Sequence, residues 1–393
     1  MIIGIDGNEA NVKNRVGSGT YAFELIKQFH SLKDNHHFVI LLKNPPLPDL
    51  PKETENFNYK VFGPKRLWTQ FALPLKLTFG VKPDVFFSTA HYLPRFLPLS
   101  CPLVVTIHDL SFLHFPEMFK KNDLYQLTFG TKASIQKAAH IIAVSQTTKD
   151  DIVKSYKIDP SKIAVTYEGY NKERFKPQIT TRSDLVNKKY GIKGEYIIFV
   201  GTLQPRKNLE KLLEAFKVLV DSSQFTVHRN KKTVNRKPIT DNLLLVIVGK
   251  KGWLYDSIFA KVQSLGLSKK VIFTDYVPDS DLPSLISGAK VYILPSLWEG
   301  FGIPVIEAQA CGVPVVVSNT SSLREIVGDS GVLIEPNSIN SITSGIKKAL
   351  AKDTTRSDLV VKGLNNIKRF SWQKCAKETL QVLEKAASRK SPH

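Results

Sequence analysis

The run Val291-Tyr292-Ile293-Leu294-Pro295-Ser296-Leu297-Trp298-Glu299-Gly300-Phe301-Gly302-Ile303-Pro304-Val305-Ile306-Glu307-Ala308 passes from four apolar residues, through a turn rich in proline and glycine, into a helical pattern. A short unbroken apolar run bounded by turn residues reads as a strand buried on both faces, and such strands belong to parallel sheets covered by helices. The loop that follows lies at the strand's carboxyl end, where open parallel sheets bind ligands. Gly300 and Gly302 let backbone amides approach a ligand, and Pro304 suits the first turn of a helix whose free N–H groups can face phosphate. Glu299 on the loop and Glu307 in the helix can accept hydrogen bonds from separate hydroxyl-bearing parts of one ligand, such as a hexose and a ribose.

The same alternation extends in both directions. Apolar runs at 2–6, 38–42, 85–88, 103–108 and 141–145 alternate with helical patterns, and the second half repeats this at 196–201, 243–249, 271–274, 291–295 and 313–318. The chain is therefore expected to be α/β, with two Rossmann-like, doubly wound parallel-sheet domains facing a central cleft. Its 393 residues suit two domains better than one. Polar sequence between Tyr170 and Tyr196 marks the hinge, which gives domains over 1–178 and 190–369.

Hydrophobic residues at 42% and charged residues at 23% exclude a disordered or fibrous chain. Met1–Asp6 reads as a first strand rather than a signal peptide, and no apolar run reaches the roughly 18 residues that a spanning helix needs. Cys101, Cys311 and Cys375 are scattered without CxxC spacing, so neither a disulfide framework nor a cysteine zinc site is expected, and a reducing, cytoplasmic setting is. The net charge of +20 points either to an anionic partner or to a solubilising surface. Nucleic acid is set aside, because no zinc-finger or RNA-recognition signature accompanies the charge. Two basic stretches stand out. Residues 222–242 form a long basic insertion, and Lys65-Arg66-Leu67-Trp68 through Lys76 mixes cations with large apolar side chains. The second reads as an acceptor-lipid or anionic-membrane contact or, with Pro74 interrupting it, as an ordinary buried helix.

Further strand ends carry candidate chemistry. Arg206 and Lys207 follow Phe199-Val200-Gly201 and open a helical pattern at Leu209, as a pair of cations that would hold a diphosphate. Gly17-Ser18-Gly19-Thr20-Tyr21-Ala22 fits a dinucleotide fingerprint, but ten residues separate Asp6 from Gly17 and Lys43-Asn44 stands where the ribose-binding acid is expected. A glycine-rich loop near donor phosphates fits better than an oxidoreductase. His108 and Asp109 end the run that begins at Leu103. Gly249-Lys250-Lys251-Gly252-Trp253-Leu254-Tyr255 and Asp275-Tyr276-Val277-Pro278 follow two more strands.

The Glu299-x7-Glu307 element, with Gly-Phe-Gly-x-Pro between the acids, resembles the retaining glycosyltransferases of the GT-B fold, family 4, and the pattern extends over nearly the whole chain. The resemblance implies that Glu299, Gly300, Phe301, Gly302 and Ile303 line the donor sugar, and that Glu307 meets the ribose. It implies that Arg206 and Lys207 stabilise the leaving diphosphate, and that Gly17, Gly19 and His108 approach the donor. Gly249 and Val277 would flank the base, and the Gly-x-x-Gly-Trp-x-Tyr element suggests GDP-mannose. It further implies that the last helix, within 370–393, returns to the first domain. The expectation is then a metal-independent, cofactor-free hexosyltransferase of polysaccharide biosynthesis, cytoplasmic or peripheral on the inner membrane face, acting on a glycan or lipid-linked saccharide. A nucleotide-sugar epimerase of the same fold and a noncatalytic sugar-binding scaffold are the alternatives.

Overall fold

The first strand of each half of the chain, β1 (Ile2–Asp6) and β8 (Tyr196–Val200), becomes an interior strand of its sheet. The computed structural model describes residues 1–32, 35–94, 101–178, 180–222, 242–351 and 354–388, so most of the basic insertion lies outside the described residues. The chain divides into Met1–Gly169 with Phe370 onward, and Tyr170–Arg369. The crossing thus falls at Gly169–Tyr170 rather than at residue 178.

In the first unit, β1 is joined by β2 (His37–Leu42), β3 (Phe57–Val61), β4 (Val85–Ser88), β5 (Leu103–Ile107), β6 (His140–Ala143) and β7 (Ile163–Val165). Their order is β3-β2-β1-β4-β5-β6-β7, and neighbours run parallel. In the second, β8 is joined by β9 (Leu244–Val248), β10 (Val271–Phe273), β11 (Val291–Leu294), β12 (Val315–Ser318) and β13 (Val332–Ile334). The order is β10-β9-β8-β11-β12-β13, again parallel. Strand order therefore reverses between β1 and β4 in one unit and between β8 and β11 in the other. Loops leave these neighbours in opposite directions and open a crevice at the carboxyl ends.

The apolar runs are what bury. Ile3, Ile5, Val104, Val105, Ile197, Ile198, Val246 and Ile293 are fully enclosed. Helix Leu209–Asp221 turns Leu209, Leu212, Leu213, Phe216 and Leu219 inward at helical spacing, each contributing roughly 1.5–3 kcal/mol by leaving water. The edge strands β3 and β13 had no sequence signal, and β3, Phe57-Asn58-Tyr59-Lys60-Val61, is largely open on its later residues. The first helix runs over Ser18–Ser31. Helix Trp372–Ser388 packs on it and on β4, β5 and β6, with Trp372 edge-on to Tyr21 and Cys375, Thr379 and Leu383 buried.

Candidate functional site

At the β8–β11 switch the two strand-end loops are tied together. Leu297 N–H donates to Arg206 O at 2.9 Å, and Asn208 Nδ2 donates to Pro295 O at 3.1 Å and Pro336 O at 2.7 Å. Arg206 and Lys207 do not open the helix itself. They sit on a short 3-10 turn, Pro205–Lys207, because Asn208 takes a left-handed conformation (φ 57°) and separates that turn from the helix starting at Leu209.

The turn aims both cations at the β11 loop. Lys207 Nζ lies 2.5 Å from Glu299 Oε1, and Arg206 Nη1 lies 3.5 Å from Glu299 Oε2 while donating to Trp298 O at 2.5 Å. Side-chain exposure is only 9% for Glu299, 12% for Arg206 and 13% for Lys207. Burial alone would raise the Glu299 carboxyl, but the charges of Lys207 and Arg206 outweigh it and hold the group below its usual range. One buried carboxylate thus separates two buried cations whose mutual repulsion would otherwise be strong. The set carries one net positive charge at a strand end, which suits an anionic ligand.

Glu299 is fixed from behind. Its N–H donates to Ser321 Oγ at 3.0 Å, and Ser322 Oγ donates to Glu299 O at 2.9 Å and Phe301 O at 3.1 Å. Gly300 and Phe301 are buried, Gly302 caps helix Ile303–Ala310 with Pro304 in its first turn, and Glu307 lies half-buried in that helix. The fully buried Tyr292 beneath is held well above its ordinary range, first by burial and then by the charges of Glu299 and Glu307.

The β9 and β10 loops extend the same rim. Gly249 N–H donates to Asp275 O at 3.0 Å, and Leu203 N–H to Lys250 O at 3.0 Å. A Cβ on Gly249 would stand 1.9 Å from Gly201 O, so only glycine lets the β8 and β9 ends pass this closely. Val277 is 4% exposed, and only its backbone polar groups have anything to offer a polar ligand. Tyr255 is half-buried, with Lys251 over its ring.

In the first unit Gly17 (φ 48°) caps helix Ser18–Ser31, and Gly19 lies in its first turn. His108, at the end of β5, donates from Nε2 to Thr89 O at 2.9 Å, while Nδ1 stands 3.5 Å from Glu168 Oε1. Burial works against its charge, yet the Glu168 carboxylate, the Thr89 carbonyl and Asp109 together raise it above the ordinary imidazole range. Asp109 turns instead to its own loop, accepting from Ser111 N–H at 2.9 Å and Ser111 Oγ at 2.6 Å. Beside His108, burial and the His108 charge depress His91 to about 4. Asp6, at the end of β1, is pushed up to about 6 by burial. Sequence reasoning missed Glu168, whose only signal is an acid just beyond the last strand of a sheet. Among the described residues, no three His, Cys, Asp or Glu side chains gather as metal ligands would.

Residues 184–365 match the family described as Glycosyl transferases group 1, and residues 16–174 match Glycosyltransferase Family 4. The chain is similar to O-antigen chain mannosyltransferase B of Escherichia coli, 31% identical over 302 residues that cover 77% of this chain and 74% of that one. It is similar to O-antigen chain mannosyltransferase RfbU of Salmonella typhimurium, 31% identical over 276 residues, 70% and 67% of the two chains. Of solved structures, WaaG, a glycosyltransferase involved in lipopolysaccharide biosynthesis, superposes with a TM-score of 0.71 at 17% identity, covering 98% of this chain and 99% of WaaG. Anabaena Alr3699/HepE in complex with UDP and glucose gives 0.71 at 16%, covering 98% and 99%. At such identities the likeness establishes the fold, the two-domain GT-B architecture.

Proposed function

The chain belongs to the group 1 glycosyl transferases of family 4, nucleotide-sugar hexosyltransferases, and we propose that it transfers its hexose with retention of anomeric configuration, without a metal ion, from a GDP-mannose-type donor. The observation that carries this reading is the meeting of Arg206 and Lys207 with Glu299 at the carboxyl ends of β8 and β11. In the step we propose, the bond between the sugar's C1 and the phosphate oxygen breaks while the acceptor oxygen bonds to C1 on the same face. The departing diphosphate takes the acceptor's proton. Arg206 and Lys207 neutralise the charge that grows on it, supplying in fixed form what a divalent cation would otherwise supply.

In this reading Glu299, Gly300, Phe301, Gly302 and Ile303 contact the sugar and Glu307 the ribose, while Gly249 and Val277 flank the base. Gly17, Gly19 and His108 are the first unit's donor contacts, and His108 reaches a sugar hydroxyl by exchanging its Nε2 bond to Thr89. Mannose is supported by the Gly249-x-x-Gly252-Trp253-x-Tyr255 element and by relatives named as O-antigen mannosyltransferases. The same names support a growing glycan as the acceptor, and the proposal extends to a lipid-linked saccharide met at the inner face of the membrane. No helix among the described residues is long and apolar enough to cross a bilayer.

The test is purified protein with a panel of GDP-, UDP- and ADP-sugars, following nucleoside diphosphate release with and without EDTA and the anomeric configuration of the product. EDTA-insensitive release that rises with acceptor and gives an α-linked product supports the reading. Donor conversion without acceptor would favour an epimerase, and silence across the panel a scaffold.

A further inference from the structure

Asp6 is the last residue of β1 and Ser88 the last of β4, and the two stand opposite each other where the strand order of the first unit reverses. Open parallel sheets bind ligands at such a place. A chain of hydrogen bonds crosses it. His108 Nε2 donates to Thr89 O at 2.9 Å, Thr89 Oγ1 donates to Asp6 O at 3.3 Å, and Lys43 N–H donates to Asn8 Oδ1 at 3.0 Å. The carboxylate of Asp6 takes part through one oxygen, Oδ1, which accepts from Asn8 N–H at 3.0 Å and from Asn8 Nδ2 at 2.7 Å. Its other oxygen, Oδ2, has no hydrogen-bond partner among the described residues, and no cation among them forms an ion pair with it.

The fold accounts for Oδ1 but not for the charge. A side-chain oxygen that accepts from the N–H two residues on makes a turn that asparagine forms as readily as aspartate. Asparagine at this position would keep both bonds and spare the partly buried loop a carboxylate, whose burial without a cation is unfavourable. The cost is visible in the acid itself. Burial pushes Asp6 up to about 6 against the two Asn8 bonds, with Glu9 adding to the rise and Lys43 opposing it. Those two exposed side chains are the charges that act on it, and Ser88 and Thr89 at the end of β4 bring none. A charge kept against stability at the ligand-facing end of a strand points to a function.

The chemistry of the neighbours narrows the ligand. Glu9, on the same loop, accepts from Ser18 Oγ at 3.0 Å, so the loop presents two carboxylates, which would repel a phosphate. A carboxylate oxygen without a partner accepts, and a neutral polyol supplies hydroxyl donors for it. The donor claims every site residue assigned so far, and the acceptor none. Resting on the transferase reading, we propose that Asp6 binds the acceptor sugar, its Oδ2 accepting a hydroxyl in a charge-assisted hydrogen bond.

The test is Asp6→Asn in the full chain, which keeps the turn and removes the charge, with α-linked mannotriose as the acceptor probe. Saturation-transfer NMR reads mannotriose binding without donor, steady-state kinetics with GDP-mannose read its KM, and thermal unfolding is followed with and without GDP. We expect mannotriose binding and KM to weaken by about tenfold or more, as for a lost hydrogen bond to a charged group, with the GDP-induced shift unchanged. Wild-type affinity for mannotriose should fall as pH drops through about 6, where Asp6 takes up its proton, and Asp6→Asn should lack that fall. The stability cost of the charge is absent below the ordinary carboxylate value and complete above the raised one, so the unfolding temperature of Asp6→Asn should gain on the wild type as pH rises across that range. A wild type that gives no saturation transfer to mannotriose, or an Asp6→Asn protein that binds it equally, would overturn the proposal. So would a smaller GDP-induced shift in the variant, which would give Asp6 to the donor, or a lower unfolding temperature at neutral pH, which would give its charge to the fold. Failure of the transferase reading would show separately, as absent GDP release in both proteins.

Discussion

The carboxylate of Glu299 occupies, 2.5 Å from Lys207 Nζ, the position beside that ammonium group where an incoming anion would also bind. If the diphosphate binds at Lys207 as proposed, Glu299 competes with it for that cation. Replacing Glu299 by glutamine removes the competitor and the sugar-directed acid together. We expect Glu299→Gln to bind nucleoside diphosphate as tightly as the wild type or several-fold more tightly, and to lose about a hundredfold or more in turnover. Calorimetric titration of the nucleotide alongside steady-state kinetics reads the two effects separately. Nucleotide affinity that falls together with turnover would mean that Glu299 only shapes the loop.

Arg206 contacts both Trp298 O and Glu299, and the first of these contacts is structural. Arg206→Ala should therefore lower turnover by about two to three orders of magnitude, the usual effect of losing one fixed donor to a developing anion. It should also reduce stability by about 1–2 kcal/mol through the lost charged hydrogen bond. Turnover measured at saturating donor separates the catalytic part from binding. Near wild-type turnover in a folded Arg206→Ala protein would remove Arg206 from the leaving-group role.

His108 and Glu168 give a signed pH effect. The folded protein holds His108 above its ordinary range, so it binds a proton there more strongly than the unfolded chain does. The stability this adds is fully present below the ordinary imidazole value and is lost as pH rises through the raised one. Glu168→Gln keeps the shape and removes the charge. The unfolding-temperature difference between wild type and Glu168→Gln should be largest on the acid side of neutrality and shrink toward alkaline pH. A constant difference would show that Glu168 acts by packing alone. If His108 meets the donor sugar, the kcat profile should also shift toward lower pH in the variant while KM changes little.

What the sequence disclosed follows from what is local. Central strands such as Val291–Leu294 announce themselves as apolar runs because both faces are covered, and the turn after them carries its own glycines. β3 and β13 carry no such signal, since edge strands are short or partly open. The sequence singled out Arg206, Lys207 and Glu299 but not their contact, because residues 93 apart meet only when β8 and β11 are neighbours. Glu168 carries no motif, and its place 3.5 Å from His108 depends on how the ends of β5 and β7 come together in the sheet. The stretch around Phe71 was legible in composition, but its division into a buried and an exposed side depends on where the helix lies over the sheet.

Gly249 and Gly17 draw attention for the same sequence reason and should respond differently. At Gly249 an added Cβ meets Gly201 O at 1.9 Å and the backbone φ is 147°, so contact and conformation both resist a side chain. Separating the ends of β8 and β9 disturbs the rim that carries Arg206. Gly249→Ala should destabilise the second unit by about 2–4 kcal/mol and weaken nucleotide binding with it. At Gly17 nothing lies within 4 Å of an added Cβ, and the backbone conformation alone, φ 48° with ψ −113°, is unfavourable. Gly17→Ala should lose about 1–2 kcal/mol and weaken nucleotide binding less than Gly249→Ala does. Thermal unfolding with and without nucleoside diphosphate distinguishes them, because the ligand-induced shift should shrink more in Gly249→Ala than in Gly17→Ala. Equal losses at the two sites would show that backbone conformation, and not the close passage of the strand ends, sets the requirement at Gly249.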